Sequence, residues 1–82
     1  MPLTMEEFLA QLTTLLKPYE QDVTLQFEVT NDSKIVKVTL NTSRLNTFDT
    51  DVLKYRILSQ FSSYRAKRLA FEGCLIHIVP PS

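Results

Sequence analysis

The feature that most constrains the fold is the alternation of apolar and polar residues in two neighbouring segments within residues 22–42. Apolar residues occupy every second position from Val23 to Val29 and again from Val36 to Leu40. Side chains of a β-strand point alternately to its two faces, so the pattern predicts two strands that each have one apolar face. The short polar stretch between them predicts the turn of an antiparallel hairpin.

The register of this hairpin follows from the need to keep its apolar side chains on one face. We expect a turn at residues 31–34 and four cross-strand pairs: Val29 with Val36, Phe27 with Val38, Leu25 with Leu40, and Glu28 with Lys37. A slip of one residue would move every apolar side chain of one strand to the other face, which specifies the pairing.

Amphipathic helices are predicted on both sides of the hairpin. Thr4 and Glu7 have the spacing of a capping box, apolar residues follow at helical spacing, and Pro18 ends the helix, which gives about residues 4–17. A second helix is predicted over about residues 48–65.

The second helix has two candidate starts, Asn46 followed by Asp49 or Thr50 followed by Asp51. The residues of its predicted apolar stripe are Val52, Leu53, Ile57, Leu58, Phe61 and Tyr64.

The end of the chain predicts a third strand, because the apolar run 74–79 stops at two prolines. Residues 66–73 fit either a continued helix capped by Gly73 or the start of a bulged strand. The chain is therefore expected to form one α+β domain over residues 1–82. We predict a two-layer α/β sandwich of order α-β-β-α-β, with both helices on one face of a three-stranded sheet. The third strand is expected at an edge of that sheet, beside either strand of the hairpin.

Composition excludes several kinds of functional site. The chain has one glycine, one cysteine and one histidine, whereas glycine-rich phosphate loops and closed zinc sites need more of these residues. Cys74 and His77 would point to opposite faces of the third strand, which argues against a nucleophile pair. The carboxylate pairs Glu6 with Glu7 and Asp49 with Asp51 are explained by their places at helix starts. We expect no enzymatic activity, no cofactor, no metal and no small-molecule substrate.

The chain also has the composition of an ordinary globular protein, with 44% hydrophobic and 22% charged residues. No apolar run approaches the roughly 18 residues of a membrane span. Its first residues lack the basic and apolar regions of a secretory signal, so we expect a cytoplasmic protein with no membrane partner.

The third strand suggests a function because both of its faces are largely apolar. An edge strand of this kind needs cover on both sides, from within the chain or from a partner. We therefore predict a non-enzymatic interaction or assembly module that forms a homodimer or docks on a larger protein. Ile76, Ile78 and Val79 are the predicted interface residues, and burial of the strand within the chain is the alternative.

The charge distribution suggests a second function, the binding of RNA or single-stranded nucleic acid. Residues 1–32 contain one basic and six acidic residues, whereas residues 33–82 contain eight basic and three acidic residues. The basic residues predicted to contact phosphates are Lys37, Arg56, Arg65, Lys67 and Arg68.

Overall fold

A computed structural model describes residues 3–61 and 68–80 and contains two helices and a four-stranded antiparallel sheet. The helices are α1 (Met5–Leu16) and α2 (Thr47–Gln60), and a 3₁₀ turn (Lys17–Tyr19) follows α1. The strands are β1 (Thr24–Val29), β2 (Ile35–Asn41), β3 (Leu69–Glu72) and β4 (Leu75–Ile78).

Helix α1 begins with the predicted capping box. The Glu7 backbone N–H donates to Thr4 Oγ1 at 3.1 Å, and the Thr4 backbone N–H donates to Glu7 Oε1 at 3.0 Å. These bonds satisfy two backbone donors that a helix start leaves without helical partners. At the other end, the chain tightens into the 3₁₀ turn that contains Pro18, which cannot donate a backbone hydrogen bond.

Helix α2 begins at the first of its two candidate caps. Asn46 Oδ1 accepts the backbone N–H of Asp49 at 2.7 Å, so the helix starts at Thr47, one residue before the predicted start. The predicted end at residue 65 and the stripe residue Tyr64 lie outside the described residues. Within the described part of the predicted stripe, Leu53, Ile57 and Phe61 are buried, Val52 is half-buried, and Leu58 is exposed.

The first hairpin has most of the predicted register. Leu25 lies opposite Leu40, Phe27 opposite Val38 and Glu28 opposite Lys37, as expected. Val29, however, lies opposite Ile35 instead of Val36.

The turn of this hairpin explains the shift at Val29. The Thr30 backbone N–H donates to the Lys34 carbonyl at 2.9 Å, so three residues lie inside the loop, one more than the predicted pairing allows. Ser33 has a positive φ of 61°. Three-residue hairpin loops usually have a residue in this left-handed conformation at their last position. The register shifts between Glu28 and Val29, because Val36 of β2 is an extra residue between their partners Lys37 and Ile35.

The expectation of three strands in the order α-β-β-α-β is wrong, because part of the ambiguous segment 66–73 forms β3. This strand pairs with β4 through the two-residue turn of Gly73 and Cys74, where Gly73 has a φ of +59°. The element order is α-β-β-α-β-β, and the strands lie in the order β1-β2-β4-β3. The last strand of the chain is therefore central, because β2 pairs with one side of it and β3 with the other.

The core lies between the two helices and one face of the sheet. Its buried residues are Phe8, Leu12 and Leu16 from α1, Leu53, Ile57 and Phe61 from α2 and its C-cap, and Val38, Leu40, Leu69, Ile76 and Ile78 from the sheet. The helices meet through Phe8 and Phe61, whose ring centroids are 5.3 Å apart. Both helices thus pack on the same sheet face, as predicted. Neither described helix is long and apolar enough to cross a membrane.

Candidate interaction surface

Strand β1 forms one edge of the sheet and is exposed along its whole length. Three of its apolar side chains remain largely accessible, with exposed fractions of 37% for Leu25, 46% for Phe27 and 52% for Val29. We call these three residues the β1 row. The partners of Leu25 and Phe27 across the ladder, Leu40 and Val38, are by contrast completely buried.

The β1 row is exposed because the helices do not cover it. Residues directly opposite each other in an antiparallel pair share a sheet face, so Leu25 and Phe27 lie on the same face as Leu40 and Val38. Strands β2, β3 and β4 all supply side chains to the buried core, and β1 supplies none. The β1 row is therefore an apolar continuation of the core that protrudes beyond the helix layer.

The backbone of β1 also has little protection against pairing with another strand. Natural edge strands are protected by short length, by proline, by charged side chains or by β-bulges. The one irregularity in the pairing of β1 with β2 is the register shift between Glu28 and Val29, at the end of the strand. Strand β1 has six residues, no proline and one charged residue, Glu28, which lies on the face opposite the helices. Strand β3, at the other edge, has only four residues, and Lys54 Nζ lies 5.6 Å from the ring centroid of its Phe71.

The face of the sheet opposite the helices carries a chain of polar contacts across three strands. Thr39 Oγ1 lies 3.1 Å from His77 Nδ1, and His77 Nε2 lies 3.6 Å from Glu72 Oε2. These contacts orient the imidazole, whose side chain is 19% exposed. Thr39 lies between two paired neighbours, Gln26 of β1 and His77 of β4. We interpret the three side chains as cross-strand contacts that stabilise the sheet.

Cys74 is exposed in the β3–β4 turn. In residues 3–61 and 68–80, no three His, Cys, Asp or Glu side chains are grouped so that they could hold a metal ion.

The structure corrects the expected position of the predicted interface strand. Ile76 and Ile78 have exposed fractions of 0% because β4 is flanked by strands on both sides and covered by the helices. The two alternatives for this strand were contact with a partner and burial within the chain. In the structure, Ile76 and Ile78 are buried within the chain. Val79, just after β4, is 40% exposed.

The predicted nucleic-acid residues that can be placed, Lys37, Arg56 and Arg68, do not all lie on one face of the molecule. Lys37 lies opposite Glu28 on the helix-free face of the sheet, whereas Arg56 is exposed on α2 on the other side of the molecule. Arg68 is exposed immediately before β3. Arg65 and Lys67 lie outside the described residues.

Comparison with protein-family models, curated proteins and solved structures finds no match to this chain.

Sequence reasoning identified the residues of the β1 row as the apolar face of a strand, in a sheet with both helices expected on one face. The alternating pattern shows which face of a strand is apolar, and it does not show whether a helix covers that face. The row became recognisable as a surface only when the order of the strands and the position of the helices were known.

Proposed function

We propose that this protein is a non-enzymatic interaction module that assembles as a homodimer by pairing β1 of one copy with β1 of a second. The observation that carries the proposal is the exposed β1 row on an edge strand with an accessible backbone. Pairing with another strand would satisfy the free backbone groups of the edge, and it would bring the apolar row into contact with a partner.

A second copy is the partner that suits this strand because β1 is complementary to itself. In a symmetric dimer the same surface contributes from both copies. If the two-fold axis passes through Phe27, perpendicular to the sheet, Leu25 of each copy lies opposite Val29 of the other. The two rows then form one apolar strip between the two pairs of helices, and the eight strands form a continuous sheet.

The charges of β1 are compatible with this arrangement. Glu28 is the only charged residue of the strand. In the pairing centred on Phe27 it lies opposite Gln26 of the second copy, so two carboxylates are not placed directly against each other. Like charges directly opposite in a sheet would be destabilising.

The test is the solution mass measured by light scattering over micromolar to millimolar concentrations. We expect the mass to reach twice the 9.5 kDa of one chain. We also expect the β1 backbone amides to exchange more slowly with solvent at high concentration than at low concentration, because they become hydrogen-bonded. A wild-type protein that stays monomeric over the whole range would contradict the proposal.

The matched variants are Phe27→Lys and Gln26→Lys, which place the same charge on neighbouring residues of β1 but on opposite faces. Phe27→Lys puts a cation into the apolar strip and should shift the protein to monomer. Gln26→Lys leaves the apolar row intact and should retain the dimer. If both variants dimerise as the wild type does, the β1 row is not the interface. Circular dichroism confirms that each variant keeps its fold.

A further inference from the structure

A groove on the outer side of the helix layer has the properties of a ligand site. It lies between α1 and α2 and has a volume of about 700 Å³, which falls within the usual range for small-molecule sites. None of its lining residues belongs to β1, so it is separate from the proposed dimer surface.

The walls of the groove are partly apolar. Leu15 and Pro18 contribute from the α1 side, and Tyr55 contributes from α2. Tyr55 is 72% exposed, although Leu53 and Ile57 on the opposite side of the same helix are completely buried. The aromatic ring is therefore not part of the core and is available to contact an apolar ligand.

A hydrogen bond between the helices holds one part of the groove together. Gln60 Nε2 donates to Gln11 Oε1 at 2.8 Å, and both residues line the groove. Next to it, the contact between Phe8 and Phe61 joins the first half of α1 to the C-cap of α2. These two contacts join α1 to the C-terminal end of α2, and Leu15 and Arg56 line the groove from the two helices.

The charge of the groove selects the kind of ligand. Among the lining residues that the structure describes, Arg56 is the only one with a formal charge at neutral pH. Its side chain is exposed, and no ion pair to it is found within the part of the chain that the structure describes. A guanidinium group can donate two parallel hydrogen bonds to one carboxylate. A ligand with an anionic head group and an apolar body would match both the Arg56 cation and the apolar walls of the groove.

We propose that the groove binds a small amphipathic carboxylate, with its carboxylate on Arg56 and its apolar part against Leu15, Pro18 and Tyr55. This inference goes beyond the dimer proposal and does not depend on it. It also departs from the expectation that the protein has no small-molecule ligand.

Octanoate is a suitable probe, and 1-octanol is its uncharged counterpart of the same chain length. We expect octanoate to shift the backbone amide resonances of the groove residues in a two-dimensional NMR titration. Octanol should bind up to about fivefold more weakly, because it cannot form the ion pair with the exposed guanidinium group of Arg56. Absence of octanoate binding at millimolar concentration would overturn the proposal.

The decisive variant is Arg56→Gln, with Arg44→Gln as its control. Arg44 is an exposed arginine in the loop before α2 and does not line the groove. Arg56→Gln should remove the preference for octanoate over octanol, whereas Arg44→Gln should leave it unchanged. An unchanged preference in Arg56→Gln would contradict the assigned role of the arginine.

The β1 row is also apolar, so binding of octanoate at the groove must be distinguished from binding at the β1 row. Phe27→Lys should bind octanoate with wild-type affinity even if it is monomeric. If the resonance shifts instead occur at β1 and disappear in Phe27→Lys, the groove is not the site. This outcome would leave the dimer proposal to its own test by solution mass.

Discussion

At the scale of single residues, the start of α1 shows how a local sequence pattern becomes a pair of hydrogen bonds. Thr4 and Glu7 are three residues apart, which places each side chain next to the backbone N–H of the other. The bond from the Thr4 backbone N–H and the contact with the Thr4 side chain hold the pKa of Glu7 below its usual value of 4.5. The ionised carboxylate is thus favoured in the folded state.

This lowered pKa predicts a loss of stability in acid. A carboxyl group with a lower pKa in the folded state stabilises the protein above its unfolded pKa. That contribution is lost as the pH falls below about 4.5 and through the folded pKa. We expect the free energy of unfolding, measured by urea denaturation between about pH 6 and pH 3, to fall less steeply in Glu7→Gln than in the wild type. Glutamine keeps an acceptor for the Thr4 N–H but does not titrate.

The control for this prediction is Glu6→Gln, which removes a neighbouring exposed carboxylate of the same helical turn but leaves the capping box intact. It should retain the acid dependence that Glu7→Gln loses. Identical pH profiles for the wild type and Glu7→Gln would show that the cap contributes nothing to the acid sensitivity.

At the scale of elements, the β3–β4 hairpin decides the topology of the sheet. Its turn has two central residues, Gly73 and Cys74, and Gly73 has a φ of +59°. A positive φ at the first central residue is the feature of tight hairpin turns that glycine supplies without steric cost. The one glycine of the chain is therefore at the position that allows residues 69–72 to fold back on β4.

Substitution of this glycine is expected to destabilise the hairpin through the backbone alone. A Cβ atom at Gly73 would contact nothing within 4 Å, so the cost of Gly73→Ala comes from the left-handed conformation. We expect Gly73→Ala to lower the free energy of unfolding by about 1 to 2 kcal/mol, measured by urea denaturation at neutral pH. Gly73→Asn should cost less, because asparagine enters this conformation more readily.

The first hairpin provides a control, in which glycine is introduced at a residue that already has a positive φ. Ser33 has a φ of 61°, so Ser33→Gly should leave the stability unchanged or raise it. If Gly73→Ala is as stable as the wild type, the turn does not require the conformation that the structure assigns to it.

At the scale of the whole molecule, the position of the helices divides the apolar face of the sheet into a covered and an uncovered part. Leu40 and Leu25 are opposite each other in the same ladder, yet Leu40 is completely buried and Leu25 is 37% exposed. The two residues therefore offer a direct comparison of the core with the β1 row.

The same substitution should have different effects at these two positions. We expect Leu40→Ala to cost about 2 to 5 kcal/mol at every protein concentration, because it removes buried methyl groups and leaves a cavity. Leu25→Ala should cost less at low concentration. At high concentration its cost should rise, because a dimer stabilises the folded state by mass action.

Thermal unfolding at several protein concentrations measures both effects. The wild-type midpoint should rise with concentration, and the rise should be smaller in Leu25→Ala. A wild-type midpoint that is independent of concentration would argue against self-association. Equal destabilisation by the two substitutions at low concentration would contradict the arrangement of the helix layer.

The sequence by itself determined the local features of this protein. The capping box of α1, the Asn46 cap as one of two candidates for α2, and three of the four predicted cross-strand pairs of the first hairpin follow from patterns only a few residues long. Such patterns determine local structure because they depend on hydrogen bonds and side-chain faces within one element or between two adjacent ones.

Only the tertiary structure decided which strands are central and which apolar side chains are covered. The segment 74–79 has the same apolar pattern whether it lies at an edge or in the centre, and the pairing of β3 with β4 placed it in the centre. In the same way, the alternation in β1 predicts an apolar face, and the helices left that face exposed. Burial depends on neighbours that are distant in sequence, so a local pattern identified the apolar residues but not the surface that they form.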